Sequence, residues 1–202
     1  MNEGGAVSRS TVALVRCKTY DPRVVYEALV RGVELLGGLG RFASPGERIL
    51  LKPNILASES PERVVTTHPS MLEACVRLLR EGGASVCFGD SPGLDSPAHA
   101  ARRSGLLEAG TRAGAEFADF SIGSRMDNGR EGIVSSFPVA RAVHECDGII
   151  NLPKMKTHQL TRVTAAVKNL FGCISGRRKA LYHVQFQDVV EFSQFLVELN
   201  LR

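Results

Sequence analysis

The chain has 202 residues, 44% of them hydrophobic and 23% charged, with a formal net charge of +4. These figures are ordinary for a folded soluble protein and exclude collagen-like, disordered and low-complexity chains. A chain of this length buries roughly 70% of its unfolded surface, so its core needs neither disulfides nor a metal.

The charge balance argues against nucleic acid as a partner. The only dense basic run is Arg177-Arg178-Lys179, with no aromatics interleaved, and the chain has no Trp. A stacking platform needs aromatic rings beside the basic residues. No apolar stretch approaches membrane-spanning length, so no membrane partner is expected. The opening Met1-Asn2-Glu3-Gly4-Gly5 is polar and unlike a signal sequence. Cys17, Cys75, Cys87, Cys146 and Cys173 are widely spaced and form no C-x-x-C pair. Reduced thiols and a cytoplasmic location are the resulting expectation.

Thr11–Cys17 reads as a buried strand. Asp21-Pro22 opens a helix with Val25, Leu29, Val33 and Leu36 on one face, and Gly37-Gly38 stops it. Arg48–Leu51 is a short apolar strand running into Lys52-Pro53-Asn54. Thr67-His68-Pro69 starts a second helix, which ends at Gly82-Gly83. Ala84–Phe88 is a strand delivering the turn Gly89-Asp90-Ser91-Pro92-Gly93.

Ser96-Pro97 caps a helix reaching Ala109, weakened by Gly105. Short strands are predicted over Ala115–Phe120 and Ile133–Phe137, with a flexible connection over Ser121–Glu131. Val139–Cys146 reads as a short helix and Gly148–Leu152 as a strand. A helix follows His158, with Val163, Ala166, Val167 and Leu170 on one side. Gly172–Ala180 is a turn-rich link, and Phe186–Leu199 an apolar final helix whose burial calls for a partner. No repeat or linker divides the chain. The alternation predicts one α/β domain over residues 1–202, a mainly parallel sheet with helices on both faces.

Three predicted strands end in dense polar turns. In parallel α/β sheets, ligands bind beyond the carboxyl ends of the strands. A shared rim would hold Lys52, Asn54, Asp90, Ser91, Lys154, Lys156, Thr157 and His158, with His68 at a nearby helix start. Lys168 and Asn169 project from the helix that follows. Several lysines suit a carboxylate or phosphate, so the expected partner is a small anionic metabolite. Lys52, Lys154 and Lys156 would hold the anion, His158 and His68 would move a proton, and Asp90 would orient a neighbour or bind a metal. The bland alternatives stand beside these roles: His68 as a helix cap, Asp90 bonding backbone amides, Lys168 complementing a helix dipole, and Arg177-Arg178-Lys179 as a solvated run or an anion-facing edge. The Walker A, nucleophile-elbow, dinucleotide and H-E-x-x-H patterns are missing.

Leu51-Lys52-Pro53-Asn54, Thr67-His68-Pro69 and Gly89-Asp90-Ser91-Pro92-Gly93 together resemble the first signatures of one family. Asn151–His158, Thr164–Cys173 and then Gly176, Lys179 and His183 resemble its most specific one. The chain thus resembles, from about Val12 onward, the domain-of-unknown-function family numbered 362, whose members are often described as iron–sulfur cluster-binding proteins. Many members carry a ferredoxin-like C-terminal module with cysteine runs, which this sequence lacks. The resemblance implies an N-terminal portion of the family domain. It also implies distant similarity to nickel-pincer lactate racemases. An iron–sulfur cluster or a divalent metal as cofactor, and a ferredoxin-like or homo-oligomeric partner, rest on the resemblance and on the apolar last helix. Three functions follow: an enzyme or enzyme half acting on an anion, a redox-associated protein, and a non-catalytic assembly subunit.

Overall fold

The structure is a computed structural model and describes residues 10–93, 95–176 and 178–202. The polar lead Met1–Gly5 and Arg177 of the basic run lie outside the described residues. Helix α1 spans Pro22–Leu35; the Asp21 side chain accepts from the Arg23 and Val24 amides, and Pro22 supplies the first helical position. Strand β1 (Arg48–Pro53) follows, then α2 (Pro69–Glu81) and β2 (Ser85–Phe88). Helices α3 (Pro97–Arg103) and α4 (Leu106–Arg112) are separated by Gly105 at φ +71°. That left-handed residue breaks the single helix expected from Ser96 to Ala109 into two. Strand β3 is Glu116–Phe117, and β4 (Gly123–Asp127) pairs antiparallel with β5 (Ser136–Ala140). Strand β6 (Gly148–Leu152) precedes a second hairpin of β7 (Lys156–His158) and β8 (Arg162–Thr164). Helices α5 (Ala166–Leu170), α6 (Arg178–Gln185) and α7 (Val189–Asn200) complete the chain.

The main sheet has order β3-β2-β1-β6, and every pairing in it is parallel. The carboxyl ends of β2, β1 and β6 therefore lie side by side, with Lys52 in register with Asn151 and Leu51 with Phe88. Side chains alternate between the two faces. Ile49, Leu51, Val86 and Phe88 meet α2, α3 and α4 in one core. Leu50 and Cys87 face the other way, onto Phe120, Ala140, Ala142 and Cys173. The second face is covered thinly, with the five-residue α5 packed on β6 and β1. An aromatic cluster of Phe137, Phe171, Phe186, Phe192 and Phe195 anchors α7. The last helix thus buries Phe192, Phe195, Leu196 and Leu199 within the chain.

Several expected elements differ. Thr11–Cys17 forms no strand; Val12 and Leu14 are 83% and 95% exposed, and Val15 rests against Gly32 of α1. An apolar run favours pairing, but this one lies beside a helix rather than along a sheet edge. The link over Ser121–Glu131 contains β4, and the helix expected over Val139–Cys146 shrinks to a single 3-10 turn at Arg141–Val143. The segment after His158 begins as a hairpin, because β-branched Val163 and Thr164 favour extended backbone and Arg162 sits at φ +63°. The turn-rich link already contains the start of α6 at Arg178, and α7 starts only after Asp188, whose side chain caps Val190 and Glu191, so Phe186 precedes it.

Candidate functional site

Lys52 lies in the buried run of β1, and the fold leaves its side chain wholly enclosed. Its Nζ lies 2.7 Å from Asp90 Oδ1 and donates to the Pro53 carbonyl. Asp90, just beyond β2, accepts the Ile55 amide on Oδ2 at 2.6 Å. Over this pair runs the backbone of Gly172. A Cβ there would overlap Asp90 Oδ1 and come 2.7 Å from Lys52 Nζ, so only glycine fits.

A chain of amides joins four elements at the same end of the sheet. Buried Asn169, on α5, donates to the Lys52 carbonyl and to Asn151 Oδ1, and its own oxygen accepts from Asn54 Nδ2 at 2.9 Å. Asn54 Oδ1 in turn accepts from Lys156 Nζ at 2.7 Å, and Lys156 also donates to the Val65 carbonyl. The β7–β8 register places Lys156 and His158 on one face of the hairpin, opposite Thr164 and Arg162.

These groups border a cleft of about 350 Å³, whose other walls are α5 and α6. The cleft is lined by Asn54, Asp90, Ser91, Lys156, Thr157, His158, Lys168 and Asn169 among the residues singled out in the sequence. Lys52 lies beneath it as the partner of Asp90. Two singled-out residues are elsewhere. His68 caps α2, with Nδ1 accepting from the Ser70 amide, and its ring stacks on Tyr20 at 3.8 Å. Lys154 Nζ lies 3.1 Å from the Tyr20 hydroxyl.

Lys179 and His183 also line the cleft, from α6. They are four residues apart and so share a helix face, a spacing visible in the sequence. Lys179 Nζ donates to the Ser91 carbonyl. Lys168 Nζ sits 4.5 Å from the Phe171 ring centroid.

Burial is the main cause of the site's altered acidities. It lowers Lys156, Lys168 and Lys179 each to about 8. Lys179 and Lys156 lower Lys168 further, while Asp90 works against the shift in all three. His158 is lowered by burial and then by Lys168 and Lys156, and His183 by burial and then by Lys168. His158 Nδ1 accepts the amides of Leu160 and Thr161, each at 3.2 Å. The neutral ring therefore carries its proton on Nε2. Among the described residues, Lys52, Lys156, Lys168 and Lys179 gather around one carboxylate, Asp90.

An iron–sulfur cluster takes four cysteine thiolates in its commonest form. Here Cys75 is buried on α2, Cys173 is buried beside the cleft floor, Cys17 is exposed, and only Cys87 and Cys146 are adjacent. No group of three potential ligands fit for a metal occurs among the described residues. These residues do not fit the cluster.

No solved structure matches the chain. It is 34% identical over 189 residues to a protein from Synechocystis sp. named as thylakoid-associated, an alignment covering 93% of this chain and 58% of that relative. The chain thus spans well under two thirds of the relative's length. Residues 49–202, which carry β1, the Asp90 turn, the Lys156 hairpin and the lysines of α5 and α6, match the family described as Domain of unknown function (DUF362), and the chain belongs to that family.

Proposed function

We propose that the cleft binds a small anionic metabolite, a phosphate or a carboxylate, and forms all or part of an enzyme active site. The observation that carries this reading is the convergence of Lys156, Lys168 and Lys179 on one partly buried space where, among the described residues, the one carboxylate is Asp90, already paired with Lys52. Gathering like charges away from water is unfavourable unless an opposite charge offsets it. An anion between α5, α6 and the β7–β8 hairpin supplies that charge.

Each side chain then has a distinct task. Lys156 is held by Asn54 and Val65 and serves as a fixed positive anchor. His158, neutral at pH 7, offers Nε2–H as a donor. Lys168 Nζ lies over the Phe171 and Phe192 rings and burial brings it down to about 8, so in this reading it holds or releases a proton near neutral pH. Asp90 holds Lys52 and the Ile55 amide and orients the floor. In this reading His68 and Lys154 belong to a separate cluster around Tyr20.

We place the protein in the cytoplasm on its free thiols. No helix among the described residues is long and apolar enough to cross a membrane, and the relative's name associates that protein with thylakoids.

The test is thermal and calorimetric titration with inorganic phosphate and with a panel of mono- and dicarboxylates. A true ligand stabilises the fold by about 2.7 kcal/mol at a hundredfold excess over its dissociation constant. That stabilisation is expected to shrink in Lys168→Met and Lys179→Met. Absence of stabilisation by every anion, or equal stabilisation in both variants, rules the reading out.

A further inference from the structure

A second chemical site lies toward the other end of β1: Arg48 is four residues, about 13 Å, from Lys52 along the strand, and Cys87 is in register with Leu50 between them. Cys87 Sγ of β2 and Cys146 Sγ, just before β6, are 3.3 Å apart. Cys87 is fully buried, whereas Cys146 is partly open to solvent. Arg48, the first residue of β1, bonds Glu116 through one guanidinium nitrogen at 2.7 Å. Its Nε is buried and has no hydrogen-bond partner among the described residues. The mechanism proposed for the lysine cleft uses none of these groups.

We propose that Cys87 and Cys146, with Arg48 beside them, form a redox-active dithiol that exchanges with small-molecule disulfides and closes to an intramolecular disulfide. The arrangement divides the two roles. Cys146 is the accessible attacking sulfur, and Cys87 is the enclosed resolving one. Closing the bond from 3.3 Å requires the sulfurs to approach by about 1.2 Å, to the ordinary S–S length.

Electrostatics support the same division. The bond from Cys87 and the Arg48 guanidinium both favour the Cys146 thiolate, against burial and the nearby Glu145 carboxylate. The Cys87 thiol is raised by its bond to Cys146 and by burial. Burial pushes the Cys75 thiol up to about 12 and the Cys173 thiol up to about 11, the latter despite the nearby Lys52 and Lys179. They are the inert cysteines of the chain.

The step balances as ordinary thiol–disulfide exchange. The Cys146 thiolate attacks one sulfur of glutathione disulfide, forming a mixed disulfide and expelling one glutathione thiolate. That thiolate takes up the Cys87 proton. Cys87 sulfur then attacks Cys146 sulfur and releases the second glutathione. Two protein thiols lose two electrons, and the small disulfide gains them.

The full chain is incubated with glutathione disulfide, quenched in acid, blocked with N-ethylmaleimide and mapped by mass spectrometry. The expected product links the peptides of Cys87 and Cys146, while exposed Cys17 carries only a glutathione adduct. Cys87→Ala is expected to stop at the Cys146–glutathione mixed disulfide, and Cys146→Ala to leave Cys87 unmodified. Arg48→Gln is expected to slow reaction of Cys146 about threefold at pH 7, since a lost thiolate fraction is partly offset by higher intrinsic nucleophilicity. The proposal is overturned if Cys87 and Cys146 remain unlinked while Cys17 is glutathionylated. It is equally overturned if the link forms no faster in the folded chain than in urea.

Discussion

Lys52 and Asp90 form an ion pair 2.7 Å long at the ends of two neighbouring parallel strands, with both side chains enclosed by protein. Removing one partner leaves the other charge buried and uncompensated, which costs about 3–5 kcal/mol. Lys52→Met and Asp90→Asn are each expected to lose stability on that scale in urea unfolding. The double variant Lys52→Met/Asp90→Asn is expected to lose less than the two single losses summed. Strict additivity would show that the pair is not coupled.

Gly172 covers that pair with backbone alone, because a Cβ would strike the Asp90 carboxylate. Gly172→Ala is therefore expected to destabilise the fold by about 1–3 kcal/mol, the usual range for overpacking. It is also expected to weaken anion binding by displacing the 171–173 turn. A neutral Gly172→Ala, with unfolding midpoint and anion affinity unchanged, would contradict the packing described.

The pH response follows from three lysines lowered to about 8 in the folded chain, chiefly by burial. An unfolded lysine titrates near 10.4, so between about 8 and 10.4 the unfolded chain binds more protons than the folded one. The lysines' contribution to stability therefore rises with pH across that window, and their charge opposes folding in full below it. Anion binding runs the other way, because the ammonium forms bind, and it is expected to weaken as pH passes 8. Calorimetry near pH 8 in buffers of different ionisation enthalpy is expected to show proton uptake on binding. Lys168→Met is expected to raise stability at pH 7 and to flatten the alkaline rise. A titration with no proton uptake would contradict the lowered lysines.

Asn169 supplies hydrogen bonds to Lys52, Asn151 and Asn54 from one buried side chain. Asn169→Leu leaves those partners without it, at about 1–3 kcal/mol for each buried group left unsatisfied. Loss of the Asn54 orientation is expected to free Lys156 as well. Weaker anion binding should therefore accompany the lost stability, measured on the fraction that remains folded. Intact binding in a destabilised Asn169→Leu would separate the amide network from the cleft.

The parallel sheet was legible because β1, β2 and β6 are short apolar runs that each end in a polar turn. That pattern places Lys52, Asn54, Asp90 and Ser91 at one edge of the sheet from the sequence alone. The same rule failed for Thr11–Cys17, since apolarity expresses a preference for pairing and says nothing about whether a strand edge lies alongside. The β7–β8 hairpin was hidden because Val163, Ala166, Val167 and Leu170 also satisfy helical spacing. In the sequence Lys179 belongs to a basic run that reads as solvated or as an anion-facing edge, and its direction depends on how α6 packs over the cleft. His68 had two readings, and its Ser70 contact and stack on Tyr20 place it as the cap of α2. The contact between Cys87 and Cys146 joins residues 59 apart in sequence, which no local spacing reveals.

The most direct measurement is a crystal structure of the protein grown with tungstate, an oxyanion located by its anomalous scattering. The account predicts a tungstate within hydrogen-bond reach of Nζ of Lys156, Lys168 and Lys179, and its loss in Lys168→Met/Lys179→Met. An empty cleft with tungstate bound elsewhere, or nowhere, would contradict it.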